Sequence, residues 1–185
     1  EDTALQAFNY ALGGTFTSRL NMNLREDKHW SYGARMTMPD ARGPRPYFVM
    51  APVQGDKTKE AVAEVVRELT EIVGARPLDA AELTRAKDGL TLTLPGRWET
   101  NRAIAASLAQ MVQFDLPDDY FTTYPAVVTA LDLAAVNAAG KAAIDPARVV
   151  YVVVGDRAQI EAGLRELDLG ELHLLDADGN PVIAP

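Results

Sequence analysis

Among the 185 residues there are no cysteines and two histidines, His29 and His173. A thiolate nucleophile, a disulfide and a cysteine-ligated metal are therefore excluded. The histidines lie far apart in sequence, and neither stands in a recognisable metal-ligand spacing, so two packing or surface histidines are expected rather than a self-contained zinc site. No G-x-S-x-G elbow, G-x-G-x-x-G loop or phosphate-cradling lysine loop occurs. Asp118-Asp119 could be paired carboxylates, but their place between Pro117 and an apolar segment reads as helix capping. Asp176-Ala-Asp178-Gly179-Asn180 has its glycine out of register for a calcium loop, with no glutamate to close it, and reads as an Asp-Gly turn.

The chain carries 18 Lys and Arg against 26 Asp and Glu, a formal net charge of -8. That balance lacks the electrostatic footprint of a duplex-nucleic-acid binder and predicts repulsion from anionic membrane surfaces. Hydrophobic residues make up 48% and charged residues 24%, the balance of a globular domain. No stretch approaches the roughly 18 uninterrupted apolar residues of a membrane-spanning helix.

The elements that must position any site follow from periodicity. Leu5, Phe8, Leu12, Phe16, Leu20 and Leu24 recur every three or four residues, predicting a short helix, a break at Gly13-Gly14 and a second helix over about 15–26. Residues 31–38 and 47–53 read as strands flanking a Pro- and Gly-rich turn. Asp56 is expected to cap a helix with Val62, Val65, Leu69 and Ile72 on its apolar stripe, and Asp79-Ala-Ala-Glu82 resembles a capping box. Three further helices are predicted, over a segment bearing Ile104, Leu108, Met111 and Val112, over about 118–130, and from Asp132. Residues 148–154, a continuous apolar run, predict a strand buried on both faces; Asp156 caps a short helix, and residues 171–175 form a last strand. The fold class expected is α+β, with a mostly antiparallel sheet covered by helices, in a single domain over 1–185.

One segment carries more information. Gly13-Gly14 is followed by S-R-L-x-x-x-L-R-E-x-x-x-x-x-Y-G, filled here by Ser18, Arg19, Leu20, Leu24, Arg25, Glu26, Tyr32 and Gly33. This run resembles the second-domain motif of the pitrilysin and insulinase-like zinc metallopeptidases, a family that includes the mitochondrial processing peptidases. The likeness continues in Glu82-Leu83-Thr84-Arg85-Ala86-Lys87, similar to the family's E-L-x-x-A-K helix, and in Val152-Val153-Val154-Gly155-Asp156, similar to its terminal strand. The family's leading strand–helix portion is mostly missing, so the chain is expected to be the later part of an N-terminally truncated, non-zinc domain.

The resemblance implies a split active site. One domain or subunit holds zinc through H-x-x-E-H and a distant glutamate; the other presents an arginine and a tyrosine seven positions apart. Carried over to this sequence, Arg25 and Tyr32 bind substrate, Tyr32 is the catalytic group, and this chain binds no metal. Zinc belongs to another domain or subunit, and the chain alone is expected to be inactive. The chemistry is physically sensible: a phenol O–H can donate to the oxygen on which charge develops, and a guanidinium offers fixed donors to peptide carbonyls. Without the motif, Arg25 reads as complementing a helix end or pairing with Glu26 or Asp27, and Tyr32 as an ordinary strand aromatic. Ser18 and Arg19 read as structural, Gly13-Gly14 as a close-packing point, and Trp30 as lining the chamber or packing its loop.

The expected function is thus the substrate-binding half of a zinc endopeptidase acting on peptides. The alternatives are a non-catalytic scaffold or assembly subunit of the same family, or a plain α+β interaction module. Expected partners are a homologous zinc-bearing domain or subunit and a peptide, not nucleic acid or membrane. An open sheet edge would favour self-association. Relatives in bacteria point to the periplasm or export, with the cytoplasm equally compatible with the lack of cysteine.

Overall fold

The computed structural model describes residues 2–182. The ends of the domain expected over 1–185 lie outside them. Helix α1 (Asp2–Asn9) runs on into a π-helical turn, Tyr10–Gly14. The chain breaks at Thr15, which is extended, and re-enters a helix at α2 (Arg19–Asn21), continued by a π-helical stretch, Met22–Asp27. Strands β1 (Arg35–Thr37) and β2 (Phe48–Met50) pair antiparallel, Arg35 opposite Met50 and Thr37 opposite Phe48. Then follow α3 (Thr58–Ile72), α4 (Ala80–Leu92), α5 (Asn101–Phe114), α6 (Tyr120–Ala130), α7 (Leu133–Ala143) and α8 (Arg157–Arg165). The fold is α+β, mostly helical, with a small two-stranded antiparallel sheet.

The core forms where the apolar stripes meet. Phe8 and Leu12 of the first helix, Leu20 and Leu24 of the second, Met36 of β1, Leu69 and Ile72 of α3, Ala86 of α4 and Val136 of α7 are all buried. Two glycines allow the close approaches. A Cβ on Gly140 of α7 would collide with the Phe8 ring, and one on Gly13 would stand 2.5 Å from the Met36 backbone nitrogen. The Gly-Gly point is therefore a packing device. A smaller cluster of Leu94, Tyr124 and Val128 joins α4 to α6.

Local signals are realised unevenly. Asp79 and Glu82 form the expected capping box at α4, and Asp156 caps α8 through Ala158 N–H. Asp56 and Asp119 do not cap: Asp56 lies in a 3-10 turn, Gly55–Lys57, before α3, and Asp119 makes no side-chain cap bond. Asp176-Asn180 is a turn in which Gly179 takes φ +82° and Asp176 Oδ1 accepts from Asp178 and Asn180 N–H.

Two expected strands are corrected. Residues 148–154 pair with no other strand, and Val150, Val152 and Val154 are 86%, 84% and 95% exposed. Apolar content alone does not make a strand; a ladder needs a neighbour, and among the described residues none lies alongside. The segment at 171–175 is likewise reduced to one bridge, Leu175 with Pro181. Helix α5 departs too: Ile104, Leu108 and Val112 face solvent, and Ser107 is its buried residue.

Candidate functional site

The motif segment folds as a helix followed by a loop that doubles back. Leu20 and Leu24 anchor the helix in the core, fully buried. Arg19, one residue along from Ser18, is a structural clamp. Its Nε and Nη2 donate to the two Glu82 carboxylate oxygens at 2.7 and 2.6 Å, and its remaining donors reach the carbonyls of Arg76 and Pro77 at 2.5 and 3.0 Å. This is a bidentate guanidinium–carboxylate pair. Burial by itself would lower the Arg19 value, but the Glu82 hydrogen bond and charge outweigh it and the value is raised. Burial would likewise raise the Glu82 carboxyl; the bond from Arg19 outweighs it, and the carboxyl sits below its ordinary 4.5.

Arg25 lies in the π-helical stretch, a widened geometry that re-aims side chains and recurs at functional sites. Its guanidinium carbon stands 4.3 Å over the Phe16 ring, and its Nε is 3.4 Å from Glu26 Oε1. Phe16, which its spacing placed on the core stripe, is 57% exposed because the break at Thr15 turns it outward. Stacking on a ring holds a guanidinium by its face and leaves its edge donors outward. Arg25 thus has both an ordinary surface pairing and a platform.

Beyond the helix, Trp30 N–H closes on the Leu24 carbonyl at 3.0 Å, while His29 takes φ +58° and its Nδ1 lies 3.1 Å from the Arg25 carbonyl. Trp30 packs against the main core, so it holds the loop. Ser31 bridges to Val53, its Oγ donates to the Pro52 carbonyl at 2.6 Å, and the same Oγ accepts from Gly33 N–H at 3.0 Å. Asn21, buried, completes the anchorage: its Oδ1 accepts from Ala34 N–H at 3.1 Å and its Nδ2 donates to the Phe16 carbonyl at 2.6 Å.

Tyr32 projects from this anchored loop with its side chain 99% exposed. The backbone two residues past Tyr32 is therefore bound to a residue four before Arg25. Among the described residues no hydrogen bond or ion pair links the two side chains. Neither lines a cleft of about 570 Å³ that lies between α1, the 38–45 loop, α4, α5 and α6. The case for Arg25 and Tyr32 rests on the motif and its anchorage, not on enclosure, since a site shared with another domain is open when one half stands alone. Phe16 and Asn21 gave no signal in the sequence; both fall at unspecified positions of the motif.

The residues do not fit a metal centre. Among the described residues no group of three His, Asp or Glu side chains is placed to hold an ion. His173 sits 3.7 Å from Glu171 at the surface, and His29 is in the loop described above.

Residues 1–90 match the family model described as the peptidase M16 inactive domain. Over that first part the chain is similar to the peptidase M16 inactive domain. The Gly-Gly, Arg19, Arg25, Tyr32 and Glu82 positions all fall inside that match. A crystal structure of a peptidase M16 inactive domain from Pseudomonas fluorescens superposes with a TM-score of 0.71 at 21% identity, over 78% of this chain and 34% of that one. The inactive peptidase domain of a candidate zinc protease from Bordetella parapertussis gives 0.63 at 18%, over 76% of this chain and 75% of that one. The periplasmic protease PqqL from Escherichia coli gives 0.61 at 19%, over 76% and 15%. At these identities the likeness is one of fold, and the chain spans about a third of the Pseudomonas structure. No curated protein matches the sequence.

Proposed function

We propose that this chain is an M16 inactive domain and the substrate-facing half of a zinc endopeptidase, the later part of one non-zinc domain. A homologous domain or subunit would hold the zinc, which supplies Lewis-acid activation when bound. Within this chain, Tyr32 donates its phenol O–H to the peptide oxygen on which charge develops. Arg25, steadied on Phe16, donates to substrate carbonyls. The observation that carries the reading is that Tyr32 stands almost fully exposed on a backbone tied down on both sides, by Ser31 and by Asn21 through Ala34. An exposed ring makes no contribution to the core, so such anchorage is unexplained by stability alone.

The substrate is an unfolded or short peptide, and a periplasmic setting follows from the PqqL likeness alone. The test is Tyr32→Phe in the assembled two-domain enzyme. Losing one donor to a developing oxyanion costs about a hundredfold in turnover, and full activity in that variant would remove the catalytic role and leave the scaffold reading. In isolation the chain is inactive and pairs with a second copy along residues 149–154, where an uncharged apolar run carries open backbone donors and acceptors.

A further inference from the structure

We propose that the 570 Å³ cleft is a second binding site, separate from Arg25 and Tyr32, that takes the carboxylate end of a short peptide with an apolar last side chain. Its size falls in the usual range for sites that enclose small ligands, about 300–1,000 Å³.

Two guanidiniums line it, and they differ. Arg45 is already neutralised, ion-paired to Asp2 and 3.6 Å from Asp40. Arg97 has no carboxylate within ion-pair distance among the described residues. Its Nη2 reaches only the Gln110 amide oxygen at 3.3 Å, and its guanidinium lies 5.4 Å from the Phe121 ring centroid. A guanidinium held by its face keeps edge N–H groups free for a planar anion.

Asn9, also in the lining, spends its Nδ2 on the Met36 carbonyl at 3.2 Å. Phe121 and Leu94 also line the cleft and supply apolar surface. A planar anion and an apolar side chain on one small frame are what a peptide's last residue offers. Tyr124 is committed elsewhere, its O–H donating to Gln6 Oε1 at 2.8 Å; burial, then Tyr120, pushes it up to about 12, so it adds no negative charge to repel the ligand.

The test is a titration of the 185-residue chain with N-acetyl-Ala-Phe and with the same peptide as its C-terminal amide, followed by NMR shifts of the backbone amides around Phe121. Binding of the acid, at least tenfold weaker for the amide and for the acid against Arg97→Gln, supports the site. Arg97 is exposed, so the variant keeps its fold. Arg102→Gln, exposed on α5 and outside the cleft, serves as control and leaves the acid's affinity unchanged. Equal affinity for acid and amide, indifference to Arg97→Gln, or no shifts at the solubility limit overturns the proposal. None of these outcomes depends on Tyr32, whose role stands or falls by turnover.

Discussion

At the scale of single residues, the exposed Tyr32 owes its placement to the hydrogen bonds of Asn21 and Ser31. Asn21 joins three backbone segments with one carboxamide: the Phe16 loop, its own helix and the strand entry at Ala34. Replacing it with alanine leaves the buried Ala34 N–H without a partner, worth about 1–3 kcal/mol, and frees the part-buried Phe16 carbonyl. Asn21→Ala is therefore expected to lower the urea midpoint of the isolated domain, and in the assembled enzyme to lower kcat more than it raises KM. Asn21→Asp, which keeps the acceptor facing Ala34, should recover part of kcat. Equal kcat in wild type and Asn21→Ala would show that the loop holds Tyr32 without it. The motif fixes the spacing of Arg25 and Tyr32, and their shared role is the proposal that Tyr32→Phe tests. Phe16 was misplaced because its spacing fits a continuous helix, and only the extended backbone at Thr15 breaks that pattern.

At the scale of elements, capping was legible where the signal was short-range and reciprocal. Asp79 and Glu82 exchange backbone and side-chain bonds within four residues, so nothing distant can override them. Asp56 and Asp119 offered one-sided signals, and a 3-10 turn and an uncapped start prevailed. Glu82 also receives Arg19, which makes α4 sensitive to acid. Its folded value lies below 4.5, so its contribution is complete above the ordinary carboxylate value and is lost as pH falls through the folded one. The urea midpoint should therefore drop when pH is taken below 4.5, and Glu82→Gln should show a lower midpoint at neutral pH with a shallower acid decline. An identical slope in both would place the acid sensitivity elsewhere. Glu64 belongs to the same class: burial would raise it, but bonds from Arg67 and Asn23 outweigh that and lower it.

At the scale of the whole molecule, what the sequence hid was what depends on a neighbour. The 148–154 run reads as a buried strand because burial is what its valines require, yet burial is a property of the surroundings and not of the run. The same holds for Ile104, Leu108 and Val112 on α5. The exposed valines give a direct measurement. The isolated chain is expected to self-associate with rising concentration in light scattering, and Val152→Lys, a charge placed on the open edge, should return it to a monomer. A monomer at all concentrations would remove the self-pairing. One last consequence concerns Arg19 and Glu82, which bind the motif helix to the start of α4. Because Glu82 must also accept the Asp79 N–H, and Arg19 must also feed the Arg76 and Pro77 carbonyls, the two are not interchangeable ends of a dipole. Exchanging them would preserve attraction while stranding every backbone group they serve, so in any descendant of this sequence the pair can be inherited or abandoned together, but not inverted.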